Sequence, residues 1–307
     1  MLEQKEHLEI PVQPKLNKSD IRVFSNNVFF HYFSWNKLTE EEKMAHAELL
    51  VNTLDDLCAD VLLFQEVSGG YFDYGGKVRD YDWHGRMDPK LLAKGYKLAE
   101  VKLDELHPNA IDKGNKPDVN YTPIWYKDEL VSFIDGGHKF YDSVALVPDA
   151  YISSSKSYTW ALFEEKASGK RFIAFTTHFT WCSKPQMSLI CRTSDACEIN
   201  KKIDELAEKY PGVPVMVMGD LNSTRDSQPC MVLKEKLADA KERAAVVVNG
   251  HLRSCHTIGT FPGPGPAIDH IFASAEGLNI KQYQVAVNEG TVTMTDHLPL
   301  GIDFTLD

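Results

Sequence analysis

The run "VPVMVMGDLNSTRDS" (213–227) is apolar through Met218, breaks at Gly219 and then offers Asp220 and Asn222 two residues apart. Alone, an acid and an amide behind a strand read equally well as a helix cap or a turn. The same ending recurs, however. The strand-like stretch at 21–28 closes near Asn27, 60–65 closes at Glu66 and 171–177 closes at His178. The dipeptides Asp269-His270 and Asp296-His297 follow further along. Side chains at strand ends in packed sheets converge on one rim, so together these residues read as a site.

The chemistry they could share is hydrolysis at phosphorus. Oxygen donors such as Glu66, Asn27 and Asp296 suit Mg2+ or Mn2+. Such an ion polarises a phosphoryl oxygen and offsets charge on a leaving oxygen. Asp220 could orient or deprotonate a water for in-line attack, with Asn222 holding it. His178, and His297 if Asp269 fixes its far nitrogen, could donate to the non-bridging oxygens. A Ser/His/Asp hydrolase fits less well, because no G-x-S-x-G elbow is present. Nor does a Walker A loop or G-x-G-x-x-G follow a strand.

The elements that must position these groups are legible in outline. Strands are expected at 21–30, 60–67, 96–101, 122–126, 130–135, 158–165, 170–179, 213–218, 268–274, 281–287 and 297–305. The segment 38–57 reads as a helix, with Thr39 and Glu42 as a capping box and Met44, Ala47, Leu50, Leu54 and Leu57 as its apolar stripe. Further helices are expected at 187–209 and 228–239. Hairpins interspersed with crossovers suit two packed mixed sheets covered by helices better than a doubly wound parallel sheet. Residues 1–19, interrupted by Pro11 and Pro14, read as a polar arm before one domain at 20–307.

Bulk composition narrows the partners. The net charge is −11 and no dense Lys/Arg block exists, which disfavours long nucleic acids that are gripped through their phosphates. No apolar run approaches the ~20 residues of a membrane span, and the charged start has no apolar signal core, so a cytoplasmic protein is expected. The six cysteines are scattered and read as free thiols. In "HLRSCH", His251, Cys255 and His256 could join Cys191 and Cys197 around zinc, although the spacing matches no ribbon or finger.

In the order "RVFSNNV", "ADVLLFQEV", "YTPIWYKDEL", "FIAFTTHF", "PVMVMGDLNSTRDS", "AIDHIF" and "TDHLPLGIDF", the chain resembles the endonuclease/exonuclease/phosphatase superfamily from about Ile21 to Phe304. The resemblance implies a four-layer α/β sandwich. It also implies Glu66 as metal ligand with Asn27 beside it and Asp296 near the metal. His178 would then bind phosphate, Asp220 and Asn222 would handle the water, and Asp269 would orient His297. Departures touch the surroundings: Asn26 stands where an aromatic is common, and "FTWCSKPQ" replaces a frequent acidic follow-up to His178. Arg192 is expected to form a salt bridge beneath the site.

A compact substrate (a sugar phosphate, nucleotide or lipid head group) is the expectation. The loop 69–88 offers Tyr71, Tyr74, Tyr81 and Trp83 for stacking, though it reads equally well as a solvated loop with packed aromatics. The alternatives are a nuclease using Lys77, Arg79, Arg86, Lys90 and Lys94, and an inactive binding module.

Overall fold

The computed structural model describes residues 12–28, 38–67, 71–73, 78–80, 82–103, 120–146 and 156–307. In chain order the strands are β1 (Ile21–Asn27), β2 (Val61–Gln65), β3 (Tyr71–Asp73), β4 (Val78–Asp80), β5 (Tyr96–Leu98), β6 (Lys102–Leu103), β7 (Ile124–Lys127) and β8 (Val131–Phe140). They continue as β9 (Ser157–Glu165), β10 (Arg171–His178), β11 (Val215–Asp220), β12 (Ala238–Asp239), β13 (Val246–Val248), β14 (Asp269–Ala273), β15 (Leu278–Val285) and β16 (Leu300–Leu306). The helices are α1 (Glu40–Asp55), α2 (Trp83–Ala93), α3 (Pro185–Lys209), α4 (Gln228–Lys234), α5 (Ala240–Arg243) and α6 (Glu289–Met294).

Two seven-stranded mixed sheets form, ordered β13-β15-β16-β1-β2-β7-β5 and β12-β14-β11-β10-β9-β8-β6, while β3 and β4 pair as a separate hairpin. Strand alternation builds the layers. In β2, Val61 and Leu63 point between the sheets with Ile21, Val23, Phe163, Phe172, Met216 and Ile302, whereas Leu62 and Phe64 point outward onto Leu50, Leu54 and Met87 of α1 and α2. In the second sheet Ile173, Phe175, Val215 and Val217 face Ile199 and Ile203 of α3 and Leu233 of α4. The result is the expected helix–sheet–sheet–helix sandwich. Among the described residues no helix is long and apolar enough to cross a membrane.

Helix α1 starts at its expected capping box: Glu42 N–H donates to Thr39 Oγ1 at 3.2 Å while Thr39 N–H donates to Glu42 Oε2 at 2.7 Å. The helix expected over 228–239 stops at Lys234 instead. There Leu237 N–H turns back to Leu233 O at 3.0 Å, and 238–239 pair with β14 as β12. Residues 12–19 lie along the first sheet: Gln13 O accepts from Arg22 at 2.7 Å and Lys15 pairs with Asp60 at 2.6 Å. Arg22, wholly buried, makes a bidentate pair with Asp303, both bonds 2.7 Å.

Two expectations about the 69–88 loop meet α2. Trp83 is 2 % exposed and packs in the core beneath the first sheet, so it is no stacking platform. Burying that large ring stabilises α2 on α1 more than exposure at a site would. Arg86 bonds Glu40 twice at 2.9 Å, Lys90 pairs with Glu48, and Lys94 lies 3.6 Å from Asp55. These three cations are spent on α1. Tyr74, Lys77 and Tyr81 lie outside the described residues.

Candidate active site

Register assembles the site. β10 and β11 run parallel with His178 opposite Asp220, and β11 runs antiparallel to β14 with Asp220 opposite Asp269. These three share the inward parity of Ala174, Met218 and Ile271, so they form one row at the end of the core. His270, one residue on, takes the outward parity and bonds Ser223 O at 2.8 Å, away from the row. In the facing sheet β1 and β2 are parallel with Asn27 opposite Gln65. Below the rim, Gln65 Nε2 donates to Ser25 at 3.0 Å and to Thr176 of the other sheet at 2.8 Å, holding the two strand ends together.

Glu66 breaks the strand rule. Simple alternation would send it outward with Phe64, but its backbone sits at φ +62°. That left-handed turn re-aims the carboxylate, and Oε1 lies 3.3 Å from Asn27 Nδ2 and 3.5 Å from His178 Nδ1. Left-handed backbone at a residue other than glycine is a strained conformation that its surroundings must hold. Gly219 solves a different problem: at φ +147° a Cβ would fall 2.0 Å from Thr177 O. Only glycine fits between the two parallel strands immediately before Asp220.

Asp220 is the hub. Its Oδ2 lies 3.1 Å from Asn27 Nδ2, 3.2 Å from His178 Nε2 and 3.8 Å from His297 Nε2. Its Oδ1 accepts the Asn222 N–H at 2.8 Å. Asn222, itself at φ +48°, donates its side-chain amide to Phe179 O at 3.0 Å, so in this arrangement it braces the turn behind Asp220. His297 Nδ1 lies 2.8 Å from Asp269 Oδ2. Arg192 bonds the carbonyl of Asn222. A carbonyl thus takes the place of the acid in the expected salt bridge, because the Asn222 turn presents that oxygen to α3.

Charge on these groups follows from burial and neighbours. Burial alone would raise the Asp220 carboxyl, but His178, His297 and Lys156 outweigh it and hold the group well below the usual carboxylate range. Burial opposes the charged His297 ring, yet Asp269 and Asp220 keep it protonated well above the ordinary imidazole range. Asp296 is pushed up to about 6 by burial; His297 opposes the rise and the like charge of Glu66 adds to it. Its Oδ1 is buried without a hydrogen-bond partner.

Lys156 escaped the sequence reading. It precedes β9 and is 5 % exposed, with Nζ against the His178 ring and 3.6 Å from Glu66 Oε1. Burial draws its ammonium below the ordinary lysine value, against the pull of Glu66 and Asp220. In "SSSKSY" it looks like a solvated charge. The only sequence signal is its place at the mouth of the strand that pairs with the one bearing His178.

Two sets of three donors lie within 4.8 Å of one another among the described residues: Asp220 with Asp269 and His297, and Cys255 with Asp296 and His297. Such a cluster of acids and imidazole could hold a metal ion. Glu66 belongs to neither set and lies instead beside Asn27, His178 and Lys156. The cysteine cluster weighed from sequence does not form. Cys191 is buried on α3, its thiol donating to Ser143 O at 3.4 Å, while Cys255 stands beside His297.

The model of the family described as Endonuclease/Exonuclease/phosphatase family matches residues 34–297. No curated protein matches the sequence. The fold resembles the mannosyl-6-phosphatase of Bacteroides thetaiotaomicron VPI-5482, at 17 % identity and TM-score 0.66 over 93 % of this chain and 100 % of that one. It resembles the human Nocturnin catalytic domain with bound sulfate, at 18 % and 0.65 over 96 % and 97 %. It also resembles D. rerio TDP2 complexed with single strand DNA product, at 17 % and 0.57 over 94 % and 99 %. At these identities the likeness is one of fold.

Proposed function

The chain belongs to the endonuclease/exonuclease/phosphatase family, and from that premise we propose that it is a divalent-metal-dependent phosphoesterase acting on a compact phosphorylated substrate. The observation that carries this reading is Asp220 Oδ2, within hydrogen-bonding reach of Asn27 and His178 and 3.8 Å from His297, whose ring Asp269 and Asp220 bias toward the charged form against burial.

Asp220 receives the attacking water. A carboxylate held so low is a weak base at rest, so its first task is to orient the water. The proton passes to it as the new oxygen–phosphorus bond forms and the opposite bond, to the leaving oxygen, breaks; that oxygen departs as an alkoxide and takes its proton from solvent. Asn222 keeps that carboxylate in place through its backbone N–H. His178 and Lys156, side by side, donate to the non-bridging oxygens from one flank, and His297, aligned by Asp269, donates from the other. Glu66, Asn27 and Asp296 supply the oxygen donors a hard cation prefers. The buried, partnerless Asp296 Oδ1 and the mutual repulsion of Asp296 and Glu66 fit such an ion. A bound Mg2+ or Mn2+ would polarise the phosphoryl oxygen and offset charge on the leaving one.

A compact substrate is favoured by the −11 charge and by the commitment of Arg86, Lys90 and Lys94 to acids of α1. The fold neighbour solved with single-stranded DNA keeps a nuclease as the second reading. The test compares kcat/KM for sugar phosphates, nucleotides, phospholipid head groups and duplex DNA across a salt series. A preference for DNA that falls steeply with salt would promote the nuclease, since counterion release dominates such binding.

A further inference from the structure

We infer that Cys255, Asp296 and His297 form an inhibitory site for a thiophilic divalent cation, Zn2+ foremost, overlapping the proposed catalytic machinery. The backbone builds it. Cys255 and His297 face each other in an isolated antiparallel bridge. The bridge is flanked by His256 N–H to Asp296 O and Leu298 N–H to Ser254 O, both 2.8 Å. Residues directly opposite in an antiparallel pair project to the same side, and the thiol, carboxylate and imidazole ligand atoms lie within 4.8 Å of one another.

The donor set discriminates between ions. Thiolate and imidazole are ligands of Zn2+, while Mg2+ selects oxygen. His297 already has the arrangement of a zinc-binding histidine, with Nδ1 on the Asp269 carboxylate and Nε2 left to coordinate. Asp296 brings a buried oxygen with no hydrogen-bond partner. Three protein ligands leave a fourth position for water or for a substrate oxygen. Binding expels both the thiol proton and the His297 Nε2 proton to solvent, converting the ring from donor to ligand and removing it from the substrate. The inhibition rests on the proposed role of His297; the binding does not.

The test uses the full chain, free of added metal, titrated with Co2+ as a spectroscopic probe and with Zn2+ by calorimetry. Wild type and Cys197→Ser, which removes an exposed thiol elsewhere, should bind one equivalent and show the thiolate-to-cobalt absorption band. Cys255→Ser should lose that band and bind Zn2+ about 100-fold more weakly. With Mg2+ present, each protein's activity is read relative to its own uninhibited rate, and Cys255→Ser should need correspondingly more Zn2+ for half inhibition. Equal Zn2+ affinity and an unchanged band in Cys255→Ser would overturn the site. If no phosphoester is hydrolysed but the band still depends on Cys255, the cation site stands and the functional reading fails.

Discussion

Asp269 Oδ2 lies 2.8 Å from His297 Nδ1, fixing the ring so that its other nitrogen faces Asp220 at 3.8 Å. Two strands distant in sequence thus place one imidazole between two carboxylates, and the ring stays protonated well above its ordinary range despite burial. If the protonated ring is the active form, Asp269→Asn should move the alkaline limb of the kcat/KM profile to lower pH by about one unit or more. Stability moves with it. A raised imidazole pKa contributes stability that is full below about 6.5 and lost as pH rises through the folded value. Denaturant melts of Asp269→Asn should show a flatter dependence there, whereas unchanged profiles would leave Asp269 a bystander.

Asp220 and His297 should behave as one unit. Both serve the same transition state, so Asp220→Asn with His297→Gln should cost barely more than the worse single change. Independent, multiplying losses in the cycle would mean that one of them only supports the fold.

Lys156 should matter for turnover. Lys156→Met removes a buried cation beside His178, and kcat/KM should fall by about 100-fold, with Lys156→Arg recovering part of it. A loss confined to thermal stability would make Lys156 a structural counter-charge to Glu66.

Gly219 tests the backbone. Gly219→Ala drives a methyl into Thr177 O and should destabilise by about 3 kcal/mol, read as a shift in the denaturation midpoint. Near-wild-type stability would show that the parallel strands can part there.

The sheets were legible because short continuous apolar runs mark strands buried on both faces, and the side chains of Asn27, Glu66, His178 and Asp220 at their ends lie within 3.5 Å of one another in a chain of contacts. Local sequence could not disclose three things. The left-handed turn that brings Glu66 inward depends on its neighbours and not on any turn motif. Lys156 is buried by strands distant in sequence. Cys255 meets His297 only because a loop bridges back across the site. For Trp83 the local pattern allows stacking or packing equally, and for Arg86 it allows a phosphate contact; the contact of α2 with α1 that buries both is tertiary.

Metal dependence at Glu66 is read from phosphate release from compact phosphoesters by wild type and Glu66→Gln, each with Mg2+, with Mn2+ and with a chelator. The substitution keeps size and removes the charge a hard cation needs. Chelation is expected to abolish wild-type turnover and either ion to restore it, while Glu66→Gln is expected to lose orders of magnitude and recover little with added metal. Full turnover in chelator, or a wild-type rate from Glu66→Gln, would contradict that dependence.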